Sequence, residues 1–120
     1  ELIESLDLPA IKIASPDLVN RPLLDRCTRS GRPMLVSSGA ATLDEIDRCV
    51  SWLDGHPLVL MHCVSSYPTP PALANLAWIT ALARRFPSTP IGYSDHCGDV
   101  LAGPLAVAAG ACVIEKHLTY

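Results

Sequence analysis

Two triplets in this chain carry the residue types of metal or acid–base chemistry at matching places: Ser94-Asp95-His96 and Glu115-Lys116-His117. Each closes a short apolar run, at 91–94 and 112–117. Residues two apart on a strand face the same side, so Ser94 and His96 share a face, as do Val113, Glu115 and His117. Neighbouring strands lie about 4.8 Å apart, and two imidazoles at equal heights could ligate one divalent ion through neutral ring nitrogens. The other fate of a strand-end histidine is a buried ring satisfied by a carbonyl. The grouping with Asp95 and Glu115 also suits catalysis without a metal.

Lys12 stands in an otherwise apolar run, where a buried ammonium is costly without an anionic partner. With the hydroxyls of Ser15, Ser37 and Ser94 and the backbone N–H groups around Gly39, it has the make-up of a cradle for a phosphate or carboxylate. A structural ion pair with a carboxylate outside this chain is the competing explanation. Tyr67-Pro68-Thr69-Pro70-Pro71 is a stiff loop, since proline fixes φ and restricts the residue before it, and it could hold Tyr67 over a substrate or merely pack it on the rim. Cys63 and Cys97 each follow a histidine and are expected to oppose the inward set as small packing residues. Trp52 and Trp78 are expected to pack against the sheet or a partner.

These residues need elements to position them, and the chain alternates short β-branched or apolar runs with helical periodicity. The runs fall at 10–14, 34–37, 58–64, 91–94 and 112–117, three of them directly after Pro33, Pro57 and Pro90. Between them, 22–30 reads as a short helix stopped at Gly31. Thr42 with Glu45 forms a capping box ahead of Leu43, Ile46, Val50 and Leu53 at helical spacing. Pro71 suits the first turn of a helix whose stripe runs Leu73, Leu76, Ile79, Leu82 and Phe86. Residues 100–109 are small and apolar nearly all round, closed by Gly110, and are expected to be buried. Five strands joined by four helices require a parallel sheet with both faces covered, either doubly wound or a section of a (β/α)8 barrel. In both, ligands bind at the carboxyl ends of the strands, the rim to which every strand here delivers polar groups.

Composition narrows the function. The 120 residues are 49% apolar, enough for one domain with a core. Twelve acidic against nine basic side chains give −3, with no basic run to follow a phosphate backbone, so nucleic acid is not expected as a partner. No apolar stretch reaches the ~18 residues of a membrane helix, and no membrane partner is expected. Five cysteines at irregular spacing, without a CxxC pair, point to a reducing cytoplasm and away from a closed zinc site.

Five ordered segments, Lys12-Ile13-Ala14-Ser15, Val36-Ser37-Ser38-Gly39, His62-Cys63-Val64-Ser65-Ser66-Tyr67-Pro68-Thr69-Pro70, Gly92-Tyr93-Ser94-Asp95-His96 and Ile114-Glu115-Lys116-His117-Leu118-Thr119, together resemble the sialic acid synthase family. That family includes the legionaminate, pseudaminate and spore-coat polysaccharide synthases. The resemblance implies a partial (β/α)8 TIM barrel, with this chain supplying strands four to eight. It further implies that the first three strands and a C-terminal antifreeze-like domain lie outside 1–120. The implied reaction condenses phosphoenolpyruvate with an open-chain N-acetylated amino sugar to a nine-carbon 2-keto acid and phosphate. By the same resemblance His96 and His117 hold a divalent metal, manganese first and magnesium or cobalt as alternatives. The resemblance also implies that Lys12, Ser15, Ser37 and Ser94 contact phosphoenolpyruvate, that Ser65 and Tyr67 contact the sugar, and that the whole protein is a homodimer. Ser65 and Val64 depart from the asparagine and threonine of some synthases specific for N-acetylmannosamine. Glu115 lies on the metal-facing parity and is the expected catalytic group, handling protons or orienting water. Alternative readings are a deoxy-heptulosonate or octulosonate phosphate synthase on the same barrel, which would need a basic pocket for a sugar phosphate, and a non-catalytic barrel fragment, the isolated segment being expected to be inactive.

Overall fold

The computed structural model describes residues 5–118. Thr119, the end of the last quoted segment, lies outside them. Five strands, β1 (Ile11–Ile13), β2 (Met34–Ser37), β3 (Leu58–Cys63), β4 (Ile91–Asp95) and β5 (Ile114–Lys116), form one sheet in sequence order, every pair parallel. Four helices fill the crossovers: α1 (Arg21–Thr28), α2 (Leu43–Trp52), α3 (Ala77–Arg85) and α4 (Ala102–Ala108). Five parallel strands with four intervening helices are what the alternating runs lead one to expect, and the curled form is the barrel section that the family resemblance implies.

Local chemistry sets the helix ends. Thr42 accepts from Glu45 N while the Glu45 carboxylate accepts from Thr42 N at 2.7 Å, the reciprocal capping box, and Asp44 and Glu45 favour the positive end of the α2 dipole. Asn20 caps α1 through Leu23 N, and the expected stops Gly31 and Gly110 sit at φ +69° and +108°. Pro71 departs from expectation. It opens a separate 3-10 turn, Pro71–Leu73, and α3 begins only after Asn75, which takes φ +46° and breaks the run.

The register divides the sheet into two faces. Ile11, Ile13, Met34, Val36, Leu60, Ile91 and Tyr93 turn to the helices and are buried there with Leu24, Ile46, Ile79 and Leu82. Each such large side chain contributes about 1.5–3 kcal/mol by leaving water. Trp52 and Trp78 pack against this core as expected. The other face, carrying Lys12, Leu35, Val59 and Glu115, is concave and open, so the expectation that both faces are covered holds for one alone. The expected burial of α4 also fails. Ala102 and Ala106 face the core, whereas Leu101, Leu105 and Val107 are exposed, because α4 packs against β4 and β5 along one narrow stripe of alanines.

Candidate functional site

The site grows from the concave face at the carboxyl ends of the strands. Lys12 on β1 and Ser37 on β2 have the same parity, since Lys12 pairs with Leu35, two residues before Ser37. The Lys12 ammonium donates to Ser37 Oγ at 2.8 Å and to its neighbour's carbonyl, Ile13 O, at 2.9 Å. Its third side meets Glu115 Oε2 at 3.6 Å. The partner of Lys12 is therefore within this chain. The ammonium is not buried, its side chain being 34% exposed, and the cost foreseen for a cation in an apolar strand does not arise.

Ser15 follows β1 and enters a 3-10 turn, Ser15–Val19, which brings its hydroxyl to the start of the β2–α2 loop. Ser15 Oγ accepts from Gly39 N at 3.0 Å and contacts Cys63 Sγ at 3.1 Å. A Cβ on Gly39 would lie 2.4 Å from that sulfur and 2.9 Å from the Cys63 carbonyl oxygen, so a glycine is needed for this approach. Cys63 thus overturns its expected placement. Cys63 pairs with Ser94 in the ladder and shares the concave face with Lys12 and Ser37. His62 instead points to the helices, donates from Nε2 to Ala74 O at 2.8 Å and stacks on Tyr93, and burial depresses its pKa against the opposing pull of that carbonyl. No sequence signal would have found Cys63, because its face is set by register: Met61, two residues earlier, is the ladder partner of Gly92 and Ser37.

His96 and His117 both reach the same cavity. His96 Nδ1 lies 2.9 Å from Val64 O; a carbonyl only accepts, so Nδ1 carries the proton and the lone pair sits on Nε2, 3.2 Å from Ser94 Oγ. The His117 ring centroid is 5.7 Å from that of His96, edge to face. Tyr67 lies over the pair, its ring 4.1 Å from His96 and 5.9 Å from His117. Ser65, Ser94, Glu115 and Tyr67 complete a cavity of about 440 Å³ that also takes in Lys12, Ser15 and Ser37. All the residues singled out at the strand ends are brought together there. Asp95 differs. Its carboxylate, with no exposed surface, turns from the imidazoles and accepts from Lys116 Nζ at 2.6 Å and Cys97 N at 2.9 Å. Burial works to raise its pKa, and these donors outweigh it and hold the carboxyl below its usual range.

The donor set fits a divalent ion at the two imidazoles. The hydrogen bond to Val64 O presets the His96 tautomer that leaves Nε2 as a ligand, as an outer-shell carbonyl does for a metal-bound histidine. No cluster of three or more His, Cys, Asp or Glu side chains able to enclose an ion occurs among the described residues, so the two imidazoles would offer an ion only part of its ligand set.

A curled parallel sheet with its polar groups gathered at the strands' carboxyl ends defines this chain as a portion of a (β/α)8 barrel carrying a site where such enzymes carry theirs. The family is also shown: residues 1–120 match the model of the NeuB family, and the chain belongs to it. It is 39% identical to the N-acetylneuraminate-9-phosphate synthase of Drosophila melanogaster over 99% of its own length and 33% of the relative's. It is 38% identical to the Bacillus subtilis spore coat polysaccharide biosynthesis protein SpsE over 99% and 33% of the two chains. Among solved structures, N-acetylneuraminic acid synthetase from Leptospira borgpetersenii, in complex with citrate, superposes with a TM-score of 0.92 at 41% identity, covering 98% of this chain and 42% of that one. The chain thus spans about a third of the length of these curated relatives. No helix among the described residues is long and apolar enough to cross a membrane.

Proposed function

We propose that the protein carrying this chain condenses phosphoenolpyruvate with an open-chain N-acetylated amino sugar, releasing phosphate and forming a nine-carbon 2-keto acid. The observation that carries this reading is the meeting, in one cavity, of an anion cradle built on Lys12, Ser15 and Ser37 with the paired imidazoles of His96 and His117. Similarity to relatives named as sialic acid synthases supports it.

Lys12, Ser15, Ser37 and Ser94 bind the phosphate and carboxylate of phosphoenolpyruvate and orient its C3 toward the sugar aldehyde, replacing a chance collision with a held pair. Tyr67 and Ser65 bind the sugar on the side of the imidazoles. His96 and His117 would hold a divalent ion, manganese in this reading with magnesium or cobalt as substitutes, which when bound supplies Lewis-acid stabilisation of charge developing on the aldehyde oxygen. Glu115, across from Lys12, takes a proton from the water that adds to C2, after which the C2–O bond breaks and phosphate leaves. A cytoplasmic homodimer is part of the same reading.

Phosphate release from phosphoenolpyruvate by the full reading frame tests it, with and without manganese, offering N-acetylmannosamine, its 6-phosphate and diacetamido relatives. The phosphorylated sugar is included because one relative is named for a 9-phosphate product and another for the free acid. Release that requires both sugar and metal, and is lost in His96→Ala, is expected. A folded, manganese-binding protein that stays silent with every amino sugar overturns the reading in favour of a sugar-phosphate synthase or a non-catalytic barrel.

A further inference from the structure

We propose that the Lys116–Asp95 ion pair is a strap that sets the separation of His96 and His117, which makes Lys116 a positioning residue for the divalent-ion site. The inference rests on the reading of those histidines given above. Asp95 and Lys116 are the last partners of the β4–β5 ladder, and each immediately precedes one of the histidines. The ladder therefore stops one residue short of both imidazoles. At that point the two strand ends are joined by Lys116 Nζ donating to Asp95 Oδ2 at 2.6 Å.

The ammonium does more than pair. It donates to Cys97 O at 2.9 Å and to Asp99 O at 3.0 Å, while Asp95 Oδ1 accepts from Cys97 N. The residues on both sides of His96 are thus tied to one cation carried by the neighbour of His117. Two of its three acceptors are backbone carbonyls on the far side of His96, so the ammonium holds backbone. The Asp95 side chain has no exposed surface, so removing its cation leaves a buried charge unpaired and the strand end must shift to solvate it. Such a shift moves His96 relative to His117.

The test is calorimetric titration of the full-length protein with manganese alone, and separately with phosphoenolpyruvate in the absence of metal. Lys116→Met is expected to weaken manganese binding by about tenfold to a hundredfold, the range for loss of an outer-shell partner of a metal ligand. Phosphoenolpyruvate binding, which depends on Lys12 and the serines, is expected to stay within about twofold. Lys116→Arg, able to keep the pair with Asp95, is expected to restore most of the manganese affinity. Should Lys116→Met fail to fold, Lys116→Gln, which keeps a donor and removes the charge, gives the same comparison. A folded Met or Gln variant that binds manganese as the parent does overturns the strap. A parent protein that does not bind manganese, or binds it undiminished after His96→Ala, overturns the two-histidine site and the strap with it.

Discussion

Lys12 Nζ lies 3.6 Å from Glu115 Oε2, although the two residues stand on the first and last strands of a five-stranded sheet. Four strand spacings laid flat would separate those strands by about 19 Å. The contact therefore records how strongly the sheet curls, and it closes the concave face over the cavity floor. It also means that an incoming anion finds Lys12 already engaged with Ile13 O, Ser37 and Glu115.

An anion that takes Lys12 must displace Glu115, which gives a prediction with an unusual sign. Glu115→Gln is expected to tighten binding of phosphoenolpyruvate in the absence of sugar while lowering turnover. The pair is partly exposed, and exposed pairs are worth about 0.2–1 kcal/mol, so the tightening should be about 1.4-fold to fivefold. Glu115→Asp keeps the charge but draws it away from Lys12. If exchange is the cause, Asp tightens binding as well; tightening in Gln alone would show simple repulsion between the anion and the carboxylate. Equilibrium titration of the three proteins separates these outcomes.

Gly39 meets Cys63 where no Cβ fits. Gly39→Ala should destabilise the protein by about 1–3 kcal/mol, as overpacking does, and pull Ser15 from the cradle, raising the KM for phosphoenolpyruvate. Adding Cys63→Ala removes the sulfur but not the backbone oxygen at 2.9 Å, so denaturation midpoints should show partial recovery. Full recovery would mean the backbone contact relaxes at no cost.

His62 should make stability fall as the medium is acidified. Its folded pKa lies below the unfolded value of about 6.5, so the unfolded chain binds more protons as pH falls below neutrality. The stabilisation it contributes is fully present above about pH 6.5 and drains away as pH drops toward the depressed folded value. Urea midpoints across pH 5 to 8 should slope less steeply in His62→Gln than in the parent, and equal slopes would assign the acid sensitivity to other groups.

Thr42→Ala removes the hydroxyl that accepts from Glu45 N and donates to Glu45 Oε2, while the bond from Thr42 N to the Glu45 carboxylate survives. A loss of about 1 kcal/mol is expected, with activity per folded molecule unchanged, because α2 starts several residues beyond the cradle. Combining thermal midpoints with titrated active sites checks both halves of that expectation.

Strand runs, parallel order and the polar rim were legible because β-branched alternation, proline punctuation and the βα beat are local signals. The pairing of His96 with His117 followed from strand parity, and Lys12 with its serines from residue type. What could not be read depends on register and on curl. Cys63 faces the cavity because β3 pairs with β4 as His62 to Tyr93 and Cys63 to Ser94, a relation that no single run contains. The ion pair of Lys12 with Glu115 requires the sheet to bend until long side chains on its outer strands reach each other. Pro71 carried a genuine helix-start signal, yet the positive φ at Asn75 confined it to one 3-10 turn. The apolar run of α4 announced burial, while the structure covers only its alanine stripe.

Alternation across the sheet has a consequence for how this chain tolerates change. His62 and Cys63, Asp95 and His96, Lys116 and His117 are adjacent in sequence but serve opposite sides of a wall one residue thick. Along each strand end, successive codons answer to separate demands, one for the shape of the scaffold and the next for the reacting groups. A saturation scan should therefore record a two-beat pattern, with lost abundance at His62 and Asp95 and lost turnover in a fully abundant protein at Ser94 and His117. A single-residue insertion within β4 or β5 should be worse than any substitution there, because it exchanges the two sets at one stroke.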